Sequence, residues 1–187
     1  MNPSLSEFLH DLQHRRYRFR QIWGAAFAIF LVFIAEPTFW LFVTGAVLCG
    51  LGEAIRVWAA GYIRKSQELE TRGPYGYVRH PQYSGNALIA LGVALASGHL
   101  WAIPVWVLFF LVFYRAAILR EDDKLHRRFG KDWEDWKSRT HALVPTRLRP
   151  AGSALRLADW SLRRCFSNGE PAWLLLIALG LAAIHIV

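Results

Sequence analysis

The sequence is poor in cysteine, with two, and it contains a single methionine. Cys49 and Cys165 stand far apart, so they suggest neither a disulfide framework nor a structural zinc set. Seven histidines are present, but none has metal-ligand spacing and none stands near a cysteine pair, so no metal site is expected. Acidic residues are sparse: 14 against 22 Lys and Arg, a formal charge of +8. No GxGxxG follows a strand-like run and no Walker sequence occurs, so a Rossmann or P-loop nucleotide site has no support. Low-complexity tracts, flexible linkers and convincing repeats are also missing. Residues 1–187 therefore read as one domain.

Apolar runs are what the chain has in abundance. Hydrophobic residues make up 54% of it, and a nucleic-acid partner would explain the charge but not the runs. The runs are Tyr17 to Ala35, Thr38 to Tyr62, Tyr83 to Ser97, Leu100 to Leu119 and Pro171 to Val187. A helix needs about 20 residues to cross the hydrocarbon core, so two of the five are short. Lys and Arg sort among the connections. Four lie before or at the start of the first run, up to Arg20, four lie between Arg64 and Arg79, and thirteen lie between Arg115 and Arg164. None falls in the Glu36-Pro37 or Ser97-Gly98-His99 turns. The positive-inside rule then predicts an all-α polytopic membrane protein with about five spans. Its N-terminus would be cytoplasmic and its C-terminus outside, in an inner or cytoplasmic membrane. The first run reads as a span and not as a cleavable signal, because Glu36-Pro37 is a poor cleavage site. The very short turns predict antiparallel neighbours.

The largest basic block carries further expectations. Gly130 follows Phe129 at a predicted helix end, where glycine takes a positive φ. Trp133 and Trp136 fall on one side of a short helix and suit the membrane interface. Ser153 to Phe166 reads as a basic amphipathic helix on the inner leaflet, ended by Asn168-Gly169. Pro171 suits the first turn of the final span.

The stretch most suggestive of chemistry is Arg72 to Gly85, RGPYGYVRHPQYSG. Its prolines fix the backbone, and its tyrosines, arginines and histidine exceed what a connector needs. Glu53 and Arg56 lie three apart inside the second run, either as an ion pair between helices or as the polar wall of a ligand site. Glu121-Asp122-Asp123 follows the fourth run. As a solvated helix end it would oppose the helix dipole, unless the helix continues towards Arg128. His80, flanked by arginine and proline, is the histidine of interest. Gly50-Leu51-Gly52 is a GxG within a helix, where small residues also serve close packing.

Residues 72–85, then Glu121-Asp122, Leu125, Phe129-Gly130 and Val144-Pro145, resemble the isoprenylcysteine carboxyl methyltransferase family and its phospholipid N-methyltransferase kin. The resemblance covers about residues 45–150. It implies a helical membrane fold that binds S-adenosylmethionine in a cytoplasmic pocket. Carried over by motif, the cofactor contacts are Tyr75, His80, Pro81, Tyr83, Glu121 and Asp122. The segment Gln67, Glu68, Leu69 and Glu70 joins them, and Gly50 and Gly52 resemble the GxG of the phospholipid enzymes. Asp122 stands where the family usually has a second glutamate, and Trp133 and Trp136 stand where it usually has tyrosines. The family's substrate arginine has no secure counterpart, so Arg115, Arg120 and His80 are the catalytic candidates. The implied acceptor is a lipophilic, membrane-embedded molecule, either a prenylcysteine-like carboxylate or a phospholipid amine. An amine would have to lose a proton, which makes His80 a candidate base. Two rivals stand beside this reading: an NADPH-dependent reductase related to sterol reductases, and a non-catalytic membrane scaffold.

Overall fold

The computed structural model describes residues 22–64, 68–145 and 159–186. Among the described residues the chain is helical, and no strand forms beyond one isolated bridge. The helices are α1 (Ile22–Phe33), α2 (Phe39–Ala60), α3 (Pro81–Ala96), α4 (Ala102–Phe129), α5 (Lys131–Arg139), α6 (Leu162–Ser167) and α7 (Glu170–Ile186). By length and composition, α2 and α4 can cross a membrane. The apolar helices α1 and α7 are shorter.

The α2–α3 crossing is the centre of the fold, and its sequence basis is glycine spacing. Gly45 and Gly52 on α2 meet Gly92 and Gly85 on α3 in antiparallel order. A Cβ on Gly52 would lie 2.6 Å from the Gly85 carbonyl oxygen, and one on Gly85 would lie 2.6 Å from that of Gly52. Such backbones touch only where side chains are missing, and dispersion between them can hold the pair where water cannot drive packing. On one side of this crossing, Leu31, Cys49, Ile89, Val93, Ala94 and Ala102 form an apolar core, with Ile177 and Leu181 of α7 against it.

The two short turns sit together. The Glu36 amide donates to the Ser97 carbonyl at 2.9 Å, and His99 Nε2 lies 2.6 Å from the Ile34 carbonyl oxygen. The outward faces of the long helices are apolar: Phe33, Trp40, Leu108 and Leu111 are all exposed. A surface of this kind is disfavoured in water and suited to lipid.

Three expectations change in the structure. α4 does not stop at the end of its apolar run but continues to Phe129, so Glu121 and Asp122 are interior helix positions and the dipole argument does not apply to them. Trp133 and Trp136 do not face an interface; both are buried, in a cluster with Ala59, Tyr62 and Tyr75. Of the helix expected over Ser153 to Phe166, the described part is helical from Leu162 and is preceded by Ser161, extended at φ −139°, ψ 122°. Residues 153–158 lie outside the described residues. Two helix-end expectations hold: Gly130 has φ +51° between α4 and α5, and Pro171 stands in the first turn of α7.

Candidate functional site

The tyrosine- and proline-rich stretch is locked in place from both sides. Arg72 forks onto Glu70, with its Nε at 2.8 Å and its Nη2 at 2.7 Å from the carboxylate oxygens, and it also pairs with Glu68 and Asp159. Gly73 turns at φ +54° directly against the Tyr62 ring, leaving no room for a side chain. Pro74 then opens a single 3-10 turn, Gly73–Gly76. Beyond it, Val78 to His80 runs parallel to residues 141–142. The Arg79 amide donates to the His141 carbonyl at 2.8 Å and the His80 amide to that of Ala142 at 2.9 Å. Trp136 Nε1 donates to the Tyr75 carbonyl at 3.0 Å, and Ser84 Oγ to that of Leu143 at 2.6 Å. Pro81 starts α3 immediately after His80, so the backbone fixes the imidazole at the helix entrance.

At that entrance His80 lies between two carboxylates of α4. Its Nε2 is 3.0 Å from Asp122 Oδ1, and its Nδ1 is 3.5 Å from Glu121 Oε2. Arg79 grips Asp122 as well, with Nη2 at 3.1 Å and Nε at 3.4 Å, and its Nη1 donates to the Thr140 carbonyl. The His80 ring stacks on Tyr83 at 5.5 Å between centroids, and Tyr83 meets the edge of Tyr114 at 5.3 Å. Tyr114 ends a π-helical turn, Phe110–Tyr114, inside α4, a distortion often found at functional sites. Asp122 and His80 are buried, whereas the Glu121 side chain keeps 48% of its surface exposed.

Burial by itself would lower the pKa of His80. The hydrogen bonds to Asp122 and Glu121 outweigh it, and the imidazole titrates above its ordinary 6.5. A carboxylate at each nitrogen favours the cationic form of the ring. Tyr75 is buried, which pushes its phenol well above its ordinary 10, and the nearby Glu121 and Glu70 add to that shift. It therefore remains neutral. The cluster thus sets the two carboxylates against Arg79 and His80 beside aromatic rings, and Glu121 is its open acceptor.

The structure brings Pro81, His80, Tyr83, Glu121 and Asp122 together. Tyr75 is close enough to feel Glu121 electrostatically. Glu68 and Glu70 are engaged by Arg72, and half-buried Leu69 packs against the Tyr75–Trp136 cluster. Gln67 lies outside the described residues. Gly52 is filled by the α3 backbone, and Gly50 has nothing within 4 Å of where a side chain would begin. Gly52 thus packs against α3, and Gly50 faces open space. Arg115 is exposed on α4 and Arg120 half-buried. The sequence reading missed Arg79 as a site residue, although its place beside His80 in the motif was the available signal. It also missed Glu170, which ion-pairs with Arg56 but reads in sequence as an ordinary helix start.

Comparison with known proteins now bears on this geometry. A family model described as phospholipid methyltransferase matches residues 39–132, half of the chain, from the start of α2 into α5. The chain belongs to the phospholipid methyltransferase family. Its relatives are diverse. The nickel-cobalt-cadmium resistance protein NccN of Alcaligenes xylosoxydans xylosoxydans is 38% identical over 92 residues, 48% of this chain and 43% of that protein. The protein-S-isoprenylcysteine O-methyltransferase of Schizosaccharomyces pombe is 26% identical over 104 residues, 56% of this chain and 44% of that one. The 7-dehydrocholesterol reductase of Danio rerio is 32% identical over 93 residues, 49% of this chain and 18% of that one. This chain spans less than half the length of each.

Proposed function

We propose that this protein transfers a methyl group from S-adenosylmethionine to a lipophilic acceptor in the membrane. The observation that carries the reading is the clamp of His80 between Glu121 and Asp122 at the head of α3. It fastens the loop motif to the acidic pair, the two sequence elements on which the family resemblance rests. The donor set also fits the cofactor. Glu121 is a half-exposed carboxylate that can accept hydrogen bonds from amino or ribose hydroxyl groups, and the Tyr83 ring beside it suits a flat or cationic ligand. When bound, the cofactor supplies an electrophilic methyl group on a sulfonium sulfur.

The chain's own residues orient and shield. Arg79 and Asp122 hold the imidazole, the imidazole holds Glu121, and Trp136 holds the Tyr75 carbonyl. Orientation and exclusion of water are the main needs of such a transfer. His80 is a positioning residue here and not a base, because both its nitrogens face carboxylates. The same reading puts about five spans across the bilayer in a single domain of residues 1–187. The N-terminus and the cofactor site face the cytoplasm, the C-terminus lies outside, and lipids are the partners. The family match to residues 39–132 and the isoprenylcysteine methyltransferase relatives support it.

The reductase reading has its own support in the relative named 7-dehydrocholesterol reductase. Equilibrium binding to purified, detergent-solubilised protein separates the two. S-adenosylmethionine should bind and NADPH should not, and Glu121→Ala should weaken binding by about tenfold or more. Preference for NADPH, or an unchanged affinity in Glu121→Ala, would sink the methyltransferase reading. Radiolabelled S-adenosylmethionine added to host membranes would then identify the acceptor.

A further inference from the structure

A second group of charges lies beside the first and is not used by it. Arg56 of α2 is buried and directed at Glu170, the first residue of α7. Its Nε lies 3.2 Å from Oε2, and its Nη2 lies 3.0 Å from Oε2 and 3.3 Å from Oε1. Its Nη1 donates to Asn86 Oδ1 on α3. The guanidinium is therefore engaged on all three nitrogens. Glu53, one turn earlier on α2, is left over. Its side chain is 6% exposed and its closest charged neighbour is Arg56 Nε at 3.9 Å, beyond hydrogen-bond range. Both of its carboxylate oxygens are buried without a hydrogen-bond partner.

An ionised carboxylate left this way costs several kcal/mol, so such groups are usually paired. The cluster also has the wrong balance to close on itself, with two carboxylates and one guanidinium. What it lacks is a cation with N–H donors. A carboxylate ligand is disfavoured, because Arg56 is already paired with Glu170 and both Glu53 and Glu170 would repel it.

We infer that Glu53 is the recognition residue for the ammonium group of the lipid acceptor, in the polar cluster completed by Arg56, Glu170, Asn86 and Trp173. This rests on the methyl-transfer reading and narrows its acceptor to an amine. Position supports it. Gln82 and Asn86 reach this cluster from the first turns of α3, and Tyr83 in the same turn stacks on His80. The acceptor site thus adjoins the proposed cofactor site along a single helix. Glu53 and Arg56 stand seven and four residues before the end of α2 at Ala60, about 10 and about 6 Å of helix rise from it. Trp173, with Arg56 5.0 Å from its ring centroid, is 41% exposed, so one aromatic ring stands between the cluster and the outside of the bundle. An aromatic face also favours a cation.

The test is direct binding to the purified full chain in detergent, with dodecylamine, laurate and free ethanolamine as probes. Dodecylamine should bind at least about tenfold more tightly than laurate and than ethanolamine. Glu53→Gln, which keeps size and shape, should erase the preference for the amine and leave S-adenosylmethionine affinity unchanged. Equal binding of dodecylamine and laurate overturns the proposal, as does an amine preference that survives Glu53→Gln. Ethanolamine binding as tightly as dodecylamine would mean a site for a soluble cation and would overturn the lipid assignment. If Glu53→Gln does not fold, the wild-type comparison of dodecylamine with laurate decides alone. Loss of S-adenosylmethionine binding in the wild type would instead overturn the methyl-transfer reading, and the amine measurement would remain readable without it.

Discussion

Two buried groups of charge lie at the entrance of α3, and they are completed differently. Around His80, each buried carboxylate oxygen has a donor: Asp122 takes Arg79 and His80, and the half-exposed Glu121 takes the other side of the imidazole. Around Arg56, the guanidinium is satisfied and Glu53 is not. The first group builds a rigid frame that presents one open carboxylate towards water. The second holds α2, α3 and α7 together and retains a carboxylate with no hydrogen bond, away from water. Completeness of hydrogen bonding, more than the number of charges, separates a structural clamp from a place where a ligand is missing.

Breaking the second group should have the larger effect on stability. Arg56→Ala leaves Glu53 and Glu170 buried together without a countercharge and should cost about 3–5 kcal/mol, read as a lowered thermal midpoint in detergent. A shift no larger than that of a surface substitution would mean that α7 is held by its apolar contacts alone.

Asp122→Asn tests the first group. It keeps the shape but removes the charge shared by Arg79 and His80, and should cost about 1–3 kcal/mol. It also carries a pH signature. A histidine whose pKa is raised on folding stabilises the fold fully below its unfolded value of 6.5, and that contribution is lost as pH rises through the raised value. The wild-type midpoint should therefore fall as pH increases from about 6.5 upward. In Asp122→Asn the fall should be smaller and should end at lower pH. A pH profile identical in the two proteins would show that Asp122 does not set the state of His80.

The smallest effect is expected at the support of the frame. Trp136→Phe keeps the buried ring but removes the donor to the Tyr75 carbonyl, and should cost about 1 kcal/mol. S-adenosylmethionine affinity should weaken only slightly. A loss as large as that of Glu121→Ala would make Tyr75 and Trp136 part of the binding surface and not its scaffold.

Particular residues show why some of this was legible in the sequence. The helices lay on the apolar runs, with α4 extending past its own, and Gly130 and Pro171 marked ends because their backbones free or restrict φ. The motif around His80 and the pair Glu121-Asp122 stood out as chemistry. Trp133 and Trp136 were misread because a tryptophan stripe looks the same whether it faces lipid or the Tyr62–Tyr75 cluster. The break at Ser161 in the helix expected over Ser153 to Phe166 was not legible for a related reason. Periodicity does not register that the Ser161 amide donates to the Gly61 carbonyl at 3.0 Å, with Trp160 lying on that glycine.

By itself the sequence determined an apolar, helical, basic chain with one stiff aromatic loop and one acidic pair, because composition and local backbone preference act over a few residues. Only the tertiary structure decided which charges meet. Arg79 with Asp122 and Arg56 with Glu170 are separated by 43 and 114 positions, and the same packing leaves Glu53 without a hydrogen bond. Pairing over such distances depends on how α2, α3, α4 and α7 cross, and that is set by glycine contacts and buried surface that no local pattern encodes.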